Sequence, residues 1–120
     1  MTPLRVYIAG PISAPAKHET LENVQKAFDV ALEIAKKGHI FYLPHLSVFF
    51  DEYAQEKEMN LSWKYWMAFD KVWLEKCDAM FYIGPSPGAN RELEWAKELG
   101  MKIFYSLDEV EPVGGVNHES

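Results

Sequence analysis

The chain has 120 residues, 48% of them apolar and 25% charged, which is one domain's worth of sequence around a single core. Its net charge of −6 opposes binding to a nucleic-acid backbone, which requires clustered Lys and Arg, so nucleic acid is excluded as an expected partner. No apolar run approaches a membrane span, no basic-then-apolar leader opens the chain, and the lone Cys77 rules out an internal disulfide framework. A cytoplasmic protein without membrane contact is therefore expected. His18, His39, His45 and His118 are scattered without ligand spacing, so no metal site is expected. The high aromatic content, 14% with four tryptophans, suits either stacking on a ring-shaped ligand or subunit contacts.

Leu4 to Ala9 reads as a first strand stopped by Gly10-Pro11, because proline lacks the N–H a central ladder requires. From Thr20 to Lys37 the residues Leu21, Val24, Phe28, Ala31, Leu32 and Ala35 recur at helical spacing, and Gly38 supplies the stop. Ile40 to Leu43 is a second strand ended by Pro44, and Ser47 to Asn60, with mixed signals, reads as a loop with some helix over the sheet edge. Leu61 to Cys77 is a long helix. It is followed by a strand from Ala79 to Ile83, a helix from Ala89 to Leu99 and a last strand from Lys102 to Tyr105. This alternation predicts an α/β, Rossmann-like (flavodoxin-like) fold with a parallel sheet of four to five strands flanked by helices. One domain spans residues 1–112, and residues 113–120, carrying Gly114-Gly115 without periodicity, read as a flexible tail.

Ligands of such sheets bind beyond the carboxyl ends of the strands, where Gly10-Pro11-Ile12-Ser13 and Gly84-Pro85-Ser86-Pro87-Gly88 both fall. Glu92 is expected on the first turn of its helix, in the middle of a stripe with Trp95, Ala96 and Leu99. Asp70 sits likewise among Trp63, Trp66, Met67, Trp73, Leu74 and Cys77. An ionised carboxylate on a buried face is unfavourable unless something pairs with it or chemistry uses it. Two such acids near the strand ends suit glycosidic chemistry, one attacking or stabilising an oxocarbenium-like carbon while another polar group handles the leaving group. The plainer alternative has Asp70 paired with a cation and Glu92 favouring the helix dipole. Tyr7 can hydrogen-bond the nucleophilic acid or simply pack, and Asp78 caps or turns the chain. Ser86 and Gly88 serve either as turn punctuation or as an anion nest for a 5′-phosphate.

Taken together, Val6-Tyr7-Ile8-Ala9-Gly10-Pro11-Ile12, then Asp70-x-x-Trp73-Leu74-x-x-x-Asp78, then Ser86-x-Gly88-x-x-x-Glu92-Leu93 resemble the nucleoside 2-deoxyribosyltransferase superfamily, closest to its 2′-deoxynucleoside 5′-monophosphate N-hydrolase branch. The resemblance implies that Glu92 attacks the anomeric carbon to give a glycosyl ester, that Tyr7 orients it, and that Asp70 contacts the sugar or departing base. It implies an enzyme hydrolysing a (deoxy)nucleoside 5′-monophosphate to free base and sugar phosphate with neither metal nor organic cofactor. Gly10, Ile12, Ser13, His45, Trp66, Ser86 and Gly88 are the expected substrate contacts. Serine at 86, where family transferases carry an acid, suits a phosphate, since an acid there repels a dianion. Pro11 and the pair Asn90-Arg91 depart from the hydrolase pattern and leave the base and the sugar's 2′ requirement open. Base exchange between free deoxynucleosides and a non-catalytic nucleotide-binding module are the alternatives. The second apolar arc of the long helix, Leu61, Tyr65, Ala68, Phe69 and Val72, predicts a homodimer or higher homo-oligomer, as the resemblance also implies.

Overall fold

The computed structural model describes residues 2–114. Four strands form one all-parallel sheet: β1 (Arg5–Ala9), β2 (Ile40–Tyr42), β3 (Ala79–Tyr82) and β4 (Lys102–Phe104). Four α-helices join and cover them: α1 (Lys17–Lys36), α2 (Ser47–Glu56), α3 (Trp63–Leu74) and α4 (Pro87–Glu98). The spatial order is β2-β1-β3-β4, with Tyr7 opposite Tyr42 across one ladder and Met80 across the other. The fold is α/β and Rossmann-like, as the alternation of periods predicts. The strand order reverses between β1 and β3, the switch point where such sheets open a crevice.

Alternation along β1 divides the core into two layers. Val6 and Ile8 face α1, packing on Ala27, Ala31 and Ile34. Tyr7 and Ala9 face the opposite side, where Leu74 of α3 and Ala89 and Ala96 of α4 meet Met80. This period of two turns Tyr7 toward the helices that carry Asp70 and Glu92. Both acids share helix faces with the residues of that core: Asp70 lies one turn before Leu74, and Glu92 lies between Ala89 and Ala96.

Several expected details differ. The buried stripe of α1 is Val24, Ala27, Ala31 and Ile34, whereas Leu21, Phe28 and Leu32 are exposed. Ala27 and Ala31 let the helix approach the sheet, and Phe28 and Leu32 line a shallow apolar groove with Phe41 of β2. Gly38, at φ 91°, ends α1 as expected, in a conformation that only glycine adopts without strain. The mixed segment after Pro44 is a short 3-10 turn (Pro44–Leu46) running into α2, more regular than a loop. On α4, Leu99 is exposed and only Ala96 of the expected companions of Glu92 is fully buried. Val113, expected to open the tail, is buried and donates its N–H to Lys37 O at 2.8 Å. The rest of the predicted tail, residues 115–120, lies outside the described residues.

Candidate active site

The loops after β1 and β3, the buried faces of α3 and α4, and the first turns of α2 enclose a cavity of about 420 Å³ at the carboxyl ends of the strands. That volume is within the range of small-molecule sites. Gly10, Ile12 and Ser13 line it from the β1 loop, Ser86 and Gly88 from the start of α4, and Trp66 from α3. Gly10 permits a close approach of the two loops, since a Cβ there would meet Ile83 Cβ at 2.9 Å. The β1 loop is stapled from behind. Asn23 Nδ2 donates to Ile12 O at 3.1 Å and Thr20 Oγ1 accepts from Ala14 N at 2.9 Å.

Asp70 and Glu92 both line the cavity, and each is only 5% exposed. The Tyr7 hydroxyl donates to Glu92 Oε2, and Tyr42 donates to Asp70 Oδ1 at 3.3 Å. Burial raises Glu92 to about 8. The Tyr7 hydrogen bond opposes that rise and the Asp70 charge adds to it. Burial likewise raises Asp70 to about 6 against the stabilising Tyr42 hydrogen bond. Tyr7 is pushed well above the usual phenol range by burial and then by the Glu92 and Asp70 charges, so it remains a donor. Two carboxyls held in such an environment retain a proton near neutrality, which is what a site needs if it is to supply one acid and one carboxylate.

Neither acid follows the plainer reading. Asp70 and Glu92 form no ion pair among the described residues, and Glu92 is not on the first turn of its helix. Ser86 is the N-cap, its Oγ accepting from Ala89 N at 3.0 Å, and Pro87 follows at the first helical position. Glu92 thus falls on the second turn and points at the sheet rather than at the helix end. The backbone N–H of Gly88 belongs to the first turn of α4, which borders the cavity.

Two expected residues lie behind the cavity. Tyr7 is fully buried beneath Glu92, which is consistent with an orienting role. His45, taken as a substrate contact, is fully buried and donates Nε2–H to Pro11 O at 3.1 Å. Burial lowers its pKa to about 4, so a neutral ring braces the β1 loop. Asp78 holds the other end of the sheet, accepting from Arg5 N and pairing with its guanidinium at 2.8 Å. Asn90 accepts from the Tyr82 hydroxyl at 2.7 Å, and Arg91 lies over the Trp95 ring, 6.0 Å from its centroid. Sequence reasoning missed the contribution of α2, which brings Ser47, Val48 and Asp51 to the cavity, and the pairing of Tyr42 with Asp70.

No cluster of three or more metal-ligating side chains occurs among the described residues, and no helix there is long and apolar enough to cross a membrane. The fold and cavity define an α/β protein with a switch-point site carrying two buried acids. The family model described as a domain of unknown function, DUF7768, matches residues 4–106, and the chain belongs to that family. No curated protein matches the chain.

Proposed function

We propose that the protein is an N-glycosidase that hydrolyses a (deoxy)nucleoside 5′-monophosphate, as the sequence resemblance to nucleoside 2-deoxyribosyltransferases implies. The observation that carries this reading is the meeting of Asp70 and Glu92, from two different helices, in one cavity with a phenol donor on each. In the first step a Glu92 carboxylate oxygen bonds to the anomeric carbon. The acid pair holds one proton between a group near 6 and a group near 8, and the reacting arrangement is the less populated one with that proton on Asp70 and Glu92 ionised. The electron pair of the breaking glycosidic bond passes to the base nitrogen, and the proton on Asp70 goes to the departing base. In the second step a water oxygen attacks the same carbon, its proton returns to Asp70, and Glu92 leaves as carboxylate. Tyr7 donates to Glu92 when it is ionised, which favours the nucleophilic form.

The 5′-phosphate is assigned to the Gly88 N–H and the Ser86 hydroxyl hydrogen, whose oxygen is already engaged as the cap. A second reading has its own support: no Lys or Arg is among the described residues that line the cavity, whereas Asp51, Asp70 and Glu92 are. That charge favours a free nucleoside and base exchange over a dianionic nucleotide. The test is base release from ribo- and deoxynucleosides, each with and without phosphate, in the presence and absence of an acceptor base. Faster turnover of the phosphorylated member supports the hydrolase, and exchange faster than hydrolysis without benefit from phosphate supports the transferase. Binding without turnover favours a sensing module.

We assign the protein to the cytoplasm on the composition and single cysteine noted above. A homodimer is proposed on the exposed aromatic and aliphatic side chains of α2 and α3, among them Phe49, Phe50, Tyr53, Tyr65, Phe69 and Val72.

A further inference from the structure

One part of the cavity wall comes from α2, and its only charged side chain there is Asp51. Its carboxylate is held by two donors: Trp66 Nε1 donates to Oδ1 at 3.0 Å, and Gln55 Nε2 donates to Oδ2 at 2.8 Å. These contacts fix the carboxylate plane, and each oxygen retains a lone pair. Asp51 forms no ion pair among the described residues, so its charge facing the cavity is oriented without being neutralised. Trp66 lies one helical turn before Asp70 on α3, a rise of roughly 5–6 Å. Asp51 thus reaches the cavity through the Trp66 indole rather than from the helix faces that carry the two reacting acids, and the glycosidase reading places the heterocycle against this part of the wall. Val48, Trp63 and Met67 line the same cavity and offer apolar and aromatic faces to such a ring.

We propose that Asp51 reads the heterocycle and selects bases that present an exocyclic amino group, of the cytosine or adenine kind, over their oxo counterparts. The inference deepens the glycosidase reading and rests on it for where the base lies. A carboxylate only accepts hydrogen bonds, so an amino group pairs with it, whereas the oxo group of uracil or hypoxanthine sets lone pairs against it. Desolvating an acceptor against an acceptor is a rejecting element as well as a lost contact.

The test compares binding of CMP with UMP and of AMP with IMP, in ribo and deoxy forms, by calorimetry, together with base release. The wild-type protein is expected to favour the amino member of each pair by about tenfold or more. Asp51→Asn keeps an oxygen for Trp66 and adds an amide donor, so the preference should collapse or invert while the near-UV circular dichroism stays that of the wild type. A wild-type ratio near one overturns the proposal, as does a ratio unchanged in Asp51→Asn, which would make Asp51 a tether for α2 alone. Absence of binding by all these nucleotides also overturns it. Discriminating binding without base release leaves the selection standing and removes the glycosidase reading, whereas base release without discrimination does the reverse.

Discussion

Tyr7 and Tyr42 stand opposite each other on adjacent parallel strands, their rings stacked with centroids 5.4 Å apart, and each phenol serves a different buried acid. Tyr7 donates to Glu92 and Tyr42 to Asp70, while Trp73 stacks on the outer face of Tyr42 at 5.8 Å. Two neighbouring ladder positions thus tune two carboxyls separately, and their separate effects can be measured.

Replacing Tyr42 by Phe keeps the ring between Tyr7 and Trp73 and removes only the hydroxyl. Asp70 then loses a donor that favours its charged form, and its pKa should rise from about 6 by roughly one unit. The acid limb of the kcat/KM profile should move to higher pH by that amount, with a smaller movement of the alkaline limb. Carboxyl-carbon NMR titration of labelled aspartate, assigned with Asp70→Asn, reads the same shift without any substrate. An unmoved titration would show that the contact has no electrostatic consequence.

Both buried acids hold their protons more tightly when folded, at about 6 for Asp70 and about 8 for Glu92, than at their ordinary values of 3.8 and 4.5. The folded state therefore carries extra protons between those values, and stability contributed by the protonated forms is lost as pH rises through the folded pKa values. Between pH 5 and 9 the melting temperature should fall in the wild type, and less steeply in Glu92→Gln. That variant should be the more stable of the two above pH 8, by about 1 kcal/mol or more. Parallel melting curves across the range would contradict the assignment of Glu92 as a buried, late-titrating acid.

His39 ties the two ends of the described fold together. Its Nδ1 accepts from Leu4 N at 3.0 Å, and its Nε2 lies 2.6 Å from Glu111 O, which fixes the tautomer with the proton on Nε2. His39→Ala leaves the N–H of Leu4 and the carbonyl of Glu111 without these partners and should destabilise the fold by about 1–3 kcal/mol in urea unfolding. Turnover at low temperature should be little changed, because the residue lies among the elements that begin β2 and not at the cavity.

The exposed apolar surface of α2 and α3 is expected to be covered by a second copy. Sedimentation at micromolar concentration should report a dimer, and Val72→Glu on the exposed face of α3 should shift it toward monomer. A monomer in the wild type would remove the inference.

The order of strands and helices was legible because each strand is a short apolar run between turn residues and each major helix has a clear period. α2 was not, since Phe49, Phe50 and Tyr53 are exposed and only Ala54 is buried, so no inward stripe marks it. Its contribution of Asp51 to the cavity went unseen for the same reason. The start of α4 was encoded locally, with Ser86 a cap and Pro87 the first helical residue, yet these read equally well as turn punctuation. The positions of Asp70 and Glu92 on buried faces followed from helical periodicity alone. The Tyr42 contact depends on the register between β1 and β2, which no local pattern specifies. His45 was expected to contact substrate, and its burial against the β1 loop is likewise a product of tertiary packing.

Release of free base from nucleoside 5′-monophosphates by the wild-type protein, Glu92→Ala and Glu94→Ala bears most directly on the function assigned to the cavity. Glu92 is buried and lines the cavity, whereas Glu94, two residues on, is exposed on the other face of α4. Activity should persist in Glu94→Ala and fall by about 10³-fold or more in Glu92→Ala. Base release undiminished in Glu92→Ala would contradict a glycosyl ester on that carboxylate.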